Sequence, residues 1–233
     1  MSHILRELLR LHIEAVWNVD APKLTGNEAQ MPPGQREPCE DVGPLWAGYS
    51  ARCADSGALR LWRADVAPDR RAELAELMER ALDHPEEQIP GVRREVVLHQ
   101  IAAPAISPVE AARLARILGP EDAALAQGFY ADDSDYLLAP RRAPVVAVVV
   151  EGQALCMAHS SRRTPDACEL GIDTKPESRR RGYALAATML WAHAVRYEGL
   201  IPFYSAMAEN MASLALAHAA GYREFARAAY VTR

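Results

Sequence analysis

The chain is short of several residue types, and each shortage excludes something. Its 26 basic residues include only two lysines, Lys23 and Lys175, so nearly all positive charge is arginine. Aromatic residues make up 6 %, and few stand among the arginines. With a net charge of −5, this argues against a nucleic-acid binder built on Arg141, Arg142, Arg162, Arg163 and Arg179–Arg181. Any anion site must be local. The four cysteines, Cys39, Cys53, Cys156 and Cys168, form no CxxC pair, and no histidine cluster has zinc-ligand spacing. No metal is expected, and the thiols read as buried or idle in a reducing compartment. No apolar run is long enough to span a bilayer. Charges interrupt the apolar residues of the N-terminal MSHILRELLRLHIEAVW, unlike those of a signal peptide. The expectation is a soluble, cytoplasmic protein with no membrane and no nucleic-acid partner. GxSxG, Walker and HExxH signatures are missing as well.

What is present suffices for a sizeable core: half of the 233 residues are hydrophobic. Ile4, Leu5, Leu8, Leu9, Ile13 and Val16 recur at helical spacing. Residues 18–44 are rich in proline, glycine and polar residues and read as loop. Residues 58–64 suit a strand, and Pro68 opens a helix with Leu74, Leu77, Met78, Ala81 and Leu82 on one face. Residues 84–91 read as a linker. The domain expectation is therefore an N-terminal extension or small subdomain over 1–90 and a second domain over 91–233. Trp17, Trp46, Tyr49 and Trp62 read as the packing of a small satellite core, with the lining of an acceptor pocket as the alternative.

Beyond the linker, residues 94–101 suit a strand. Ser107-Pro108-Val109-Glu110 has the form of a capping box opening a helix whose apolar side is Leu114, Ile117 and Leu118. A short helix follows at 121–127. The rest alternates: strands at 145–150 and 153–159, a loop at 162–166, a strand at 169–174, and a helix at 182–197. A strand at 201–206, a helix at 210–220 and a strand at 224–231 complete it.

Arg179-Arg180-Arg181-Gly182-Tyr183-Ala184 is the segment that carries chemistry. A strand ends, a loop follows, and a helix opens at a glycine. The first amides of a helix have no internal acceptors and sit at the positive end of its dipole. Gly182 lets a ligand approach the backbone, a general way to hold a pyrophosphate. Three arginines at that end repel the dipole by about 0.3–1 kcal/mol each, and an anion would relieve them.

The order of elements, with Glu169–Thr174, Pro176–Ala184, Pro202–Ser205, Asn210-Met-Ala-Ser213 and Ala220-Gly221-Tyr222, closely resembles the GNAT superfamily of acyl-CoA N-acyltransferases. The likeness covers about the last 140 residues in element order and Glu169–Tyr222 in motifs. It implies an α+β fold with a mixed, mostly antiparallel central sheet flanked by helices. It implies acetyl-CoA, or another short acyl-CoA, as cosubstrate and a small-molecule or peptide amine as acceptor; a homodimer stays open. It further implies that the 169–174 strand splays from its neighbour, so that the pantetheine arm pairs with Ile172, Asp173 and Thr174. The amides of Arg180, Arg181, Gly182, Tyr183 and Ala184 would hold the pyrophosphate, with Arg179 at the family's Gln/Arg position. Asn210 and Ser213 would face the lower part of CoA, or serve as helix caps.

Two departures stand out. Relatives often carry a tyrosine seven residues after the asparagine to protonate the departing thiolate; here it is Ala217. Only one strand follows Tyr222, where relatives often have two, so either the N-terminal segment supplies the other or the sheet is shorter. A catalytically degenerate CoA-binding sensor is the competing function. For chemistry, strand alternation puts Glu169, Gly171 and Asp173 on one face. Glu169 is the expected base, directly or through water, with Asp173 second. Tyr204, Tyr222 and His218 can supply a proton, Tyr204 first. His99, His159, His193 and His218 are scattered and read as structural.

Overall fold

The computed structural model describes residues 2–32, 46–54, 57–130 and 138–232; Cys39 lies outside them. In chain order the elements are α1 (Ser2–Trp17), β1 (Glu28–Met31), β2 (Gly48–Cys53), β3 (Gly57–Arg63), α2 (Pro68–Asp83), β4 (Val92–Gln100), α3 (Pro108–Ala111), β5 (Ala115–Ile117), α4 (Ala123–Phe129), β6 (Val146–Val150), β7 (Gln153–Arg163), β8 (Ala167–Thr174), α5 (Tyr183–Tyr197), β9 (Ile201–Met207), α6 (Met211–Ala219) and β10 (Tyr222–Val231). This is a mixed fold with a mostly antiparallel sheet flanked by helices, as the sequence resemblance implies. Among the described residues no helix is long and apolar enough to cross a membrane. The chain divides into two compact units. The first holds residues up to Leu98, Ser205–Met211 and those from Glu224; the second holds His99–Tyr204 and Ala212–Arg223.

In the first unit, β2 pairs antiparallel with β3 and β10, and β1 pairs parallel with β3. The N-terminal segment thus supplies a strand beside the last strand. It also corrects the expected loop: residues 28–31 are a strand, and 48–53 form one that no alternation announces, because nearly every residue of it is buried. Helix α2 starts at Pro68 and buries Leu74, Met78 and Ala81, one helical stripe, which packs with Ala47, Trp62 and Val66. Gly48 makes room for this core, since a Cβ there would lie 2.6 Å from the Trp62 ring. On another side Trp17, Trp46, Tyr49 and Tyr230 pack edge-on, tilted or, for Tyr49 and Tyr230, stacked, at centroid distances of 5.2–6.4 Å. Among them the Tyr49 hydroxyl donates to Glu95 Oε1 at 2.7 Å, and burial pushes the Glu95 carboxyl up to about 7.

In the second unit, β5, β6, β7 and β8 run antiparallel in sequence, and β9 joins β8 in parallel. Ser107 and Glu110 form the capping box, but the helix stops at Ala111 and residues 115–117 are a strand, not the end of a longer helix. The ladder of Ala115–Ile117 with Val146–Val148 supplies backbone partners; of the expected apolar side only Leu118 is buried, with Ala126, Val145 and Ala147, while Leu114 and Ile117 stay half exposed. Strand β7 runs on through Arg163, through residues expected as loop. Helix α4 and its C-terminal residues cover Ala147, Ala154 and Met157, and α5 packs on β6, β7 and β8, with Trp191 Nε1 donating to Ser160 Oγ at 3.2 Å.

Candidate active site

Strand β8 is where the sequence-derived residues converge. On one edge it pairs with β7 along its length, from Thr174 opposite Cys156 to Cys168 opposite Arg163. On the other it pairs with β9 only over Ala167–Glu169 against Ile201–Phe203. From Leu170 to Thr174 that second edge carries no ladder, so its amides and carbonyls remain open to an extended ligand. Ile172 and Thr174 are half-buried and Asp173 exposed. Thr174 Oγ1 donates to Cys156 Sγ at 3.1 Å.

A single 3-10 turn at Pro176–Ser178 leads from β8 into the arginine loop. Arg180 has φ +60°. Gly182, at φ +79°, is the N-cap of α5 and offers no side-chain cap. The helix's first internal bond runs from Ala186 N to Gly182 O at 3.0 Å. The amides of Tyr183, Ala184 and Leu185 therefore have no helical acceptor. A Cβ built on Gly182 meets nothing within 4 Å, so the space before the helix end is open. Arg179, Arg180 and Arg181 are exposed or nearly so along this loop and join no ion pair among the described residues.

The faces of β8 follow from the register. A bulge at Ser161 lies on β7, between the Ser160–Leu170 and Arg162–Glu169 pairs, so β8 itself keeps its alternation. Glu169, Gly171 and Asp173 share the side on which α4 lies, where the Tyr130 hydroxyl donates to Asp173 Oδ2. Glu169 is 5 % exposed. The Tyr204 and Ser213 hydroxyls share a 2.8 Å hydrogen bond. Burial raises the Tyr204 phenol, the Ser213 bond opposes this, and the charge of Glu169 adds to it. Tyr222, fully buried against the Tyr204 ring, is also raised, chiefly by burial. The second unit thus brings together Glu169, Ile172, Asp173, Thr174, the 179–184 loop, Tyr204 and Ser213. Asn210 falls in the first unit, exposed and directly before α6. Ala217, in place of the family's tyrosine, is buried.

Sequence reasoning read His159 as structural. It is the cross-strand partner of Gly171, and a Cβ on Gly171 would lie 2.6 Å from its Cε1 and Nε2. A glycine inside a strand marks such a close approach, and that was the available signal. Among the described residues no cluster of three histidine, cysteine or acidic side chains could hold a metal.

Residues 79–230 match the family described as GNAT acetyltransferase. No curated protein matches the chain. Among solved structures, a candidate acetyltransferase of the GNAT family from Novosphingobium aromaticivorans is 24 % identical, over 62 % of this chain and 68 % of its own, with TM-score 0.45. A GCN5-related N-acetyltransferase-like protein from Streptococcus suis is 19 % identical, over 65 % and 66 %, with TM-score 0.46. A candidate acetyltransferase from Salmonella typhimurium, solved with its cofactor acetyl-CoA, is 16 % identical, over 50 % and 90 %, with TM-score 0.40.

Proposed function

The chain belongs to the GNAT acetyltransferase family, and from that premise we propose that it moves an acetyl or other short acyl group from acyl-CoA to a primary amine of a small molecule or peptide. The observation that carries this reading is the start of α5: an uncapped helix end, a glycine at positive φ, open space before it and three arginines without ion pairs among the described residues. Anions bind such ends because unsatisfied amides and the helix dipole act together. The pyrophosphate of CoA would lie on the amides of Arg180–Ala184 beside Arg179. The pantetheine arm would pair with the open edge of β8 at Ile172–Thr174, and Ser213, in the same unit, would face it.

The chemistry follows from placing the thioester along β8. A backbone amide near Ile172 stabilises the oxyanion without a side chain. The amine proton leaves on the face shared by Glu169, Gly171 and Asp173. Tyr204 is the proton source for the sulfur, its phenol kept protonated at neutral pH. In this reading residues 91–233 carry the transfer, and residues 1–90 are an extension with no assigned chemistry.

Titration calorimetry with acetyl-CoA, followed by thiol release in the presence of a panel of amines, tests the proposal. Binding together with amine-dependent release is expected. Binding without release for any amine is the outcome of a sensor, which buried Ala217 favours. Absence of binding overturns both readings.

A further inference from the structure

One buried group on the α4 side of β8 is not absorbed by these roles. The His159 imidazole lies across β8 at the place where a side chain of Gly171 would stand, between Glu169 and Asp173 along that face. It is 8 % exposed, and its buried Nδ1 has no hydrogen-bond partner among the described residues. A ring held only for packing would carry the desolvation penalty of that nitrogen for nothing, because an apolar side chain could fill the same space. The charged groups facing it are Arg142 from the turn before β6, Arg162 on β7 and Asp173 on β8. Asp173 is itself held by Tyr130 from the end of α4.

We propose that the His159 imidazole is the proton acceptor for the attacking amine, in preference to Glu169. The proposal rests on the acyl-transfer reading above. The amine lone pair forms the C–N bond at the thioester carbonyl carbon. The ammonium of the resulting adduct loses its proton to a ring nitrogen of His159, directly or through one water. The C–S bond then breaks with its electron pair on sulfur, and the thiolate takes a proton from Tyr204 or solvent. The imidazolium returns its proton to solvent. Burial, with Arg142 and Arg162, lowers the ring to about 4, so it stands neutral at neutral pH and is a weak proton acceptor. An ammonium in a tetrahedral adduct is far more acidic than a free one, so a weak base suffices. Asp173 favours the imidazolium once it forms.

The test compares wild type, His159→Gln, His159→Ala, Gly171→Ala and Glu169→Gln, reading acetyl-CoA affinity by calorimetry and kcat/KM for the best amine against pH. His159→Gln is expected to keep acetyl-CoA affinity within about twofold and to lose kcat by on the order of 10²–10⁴. Gly171→Ala retains the histidine but displaces its ring, and is expected to lose kcat in the same direction. In His159→Ala, added imidazoles should restore the rate in step with their pKa, a trend that packing alone would not give. If His159→Gln stays within about threefold of wild type while Glu169→Gln carries the loss, the proposal is overturned. Should His159→Gln not fold, Gly171→Ala at the wild-type rate overturns it equally. A wild type that binds no acetyl-CoA fails at the earlier step and removes the acyl-transfer premise itself, an outcome distinct from any variant result.

Discussion

Arginine is used in opposite ways in the first unit and at the start of α5. In the first unit Arg10 bridges Glu7 at 2.6 Å and Glu14 at 2.7 Å, Arg52 bridges Glu79 at 2.5 Å and Asp83 at 2.7 Å, and Arg63 holds Asp65 at 2.6 Å. Arg80 holds Glu87. Each of these cations is neutralised within the fold. Among the described residues Arg179, Arg180 and Arg181 have no such partner, and they crowd the positive end of a helix dipole. A fold gains nothing from that placement; a bound polyanion does. The contrast divides the charge changes into two classes: those in the first unit should move stability and leave acyl-CoA binding alone, and those in the loop should do the reverse.

Glu95 should give the largest effect in the first class. Its folded carboxyl sits near 7 against an ordinary 4.5 because it is buried. A raised carboxyl contributes stability that is fully present below 4.5 and lost as pH climbs to about 7. The gap corresponds to about 3 kcal/mol. Urea midpoints at about pH 4.5 and about pH 8, on either side of that window, should therefore differ by more in wild type than in Glu95→Gln, while acetyl-CoA affinity in the variant stays unchanged. Equal pH responses in the two proteins would remove Glu95 as the source.

Next comes Gly182→Val. A β-branched residue at φ +79° costs about 1–3 kcal/mol in backbone strain, and its side chain fills the open space before the helix. Acetyl-CoA dissociation constants should rise at least about tenfold, with a melting transition that is lowered but still cooperative. Unchanged affinity by calorimetry would break the assignment of the loop.

How much of this was legible follows from where the decisive contacts lie. The segment from Glu169 to Tyr222 was readable because its signals are local: a strand run, a glycine at a helix start, and an asparagine before the next helix. Strand β2 was not, because it is held between β3 and β10, the latter at the far end of the chain, and burial on both faces erases alternation. Residues 115–117 misled for the same reason, since helical periodicity at Leu114, Ile117 and Leu118 carries no information about a ladder with β6. The place of His159 was hidden because it depends on register: only pairing with Gly171 brings the ring onto the face of Glu169 and Asp173.

A smaller effect is expected of Arg52→Met. It leaves Asp83 without its arginine and Glu79 with Arg60 at 3.4 Å, and should lower stability by about 1 kcal/mol, as for a partly exposed network. Acetyl-CoA affinity should not move. A loss of affinity in this variant would break the contrast from the first-unit side.

The smallest effect is the most diagnostic, because its two parts have opposite signs. Arg181→Gln removes one cation from the positive end of α5. In the free protein this relieves a repulsion of about 0.3–1 kcal/mol, so the melting temperature should hold or rise slightly. With acetyl-CoA the same change removes an attraction for the pyrophosphate, so affinity should fall by a similar free energy, about two- to fivefold. The loss should shrink as salt is raised from about 0.05 to about 0.5 M, because the exposed charge acts through solvent that ions screen over about 10 Å at 0.1 M. A structural arginine would show the reverse, lowering stability and leaving affinity alone. Thermal denaturation of the free protein beside calorimetric titrations at the two salt concentrations separates the cases, and a variant that loses stability without losing affinity would place Arg181 with the paired arginines of the first unit.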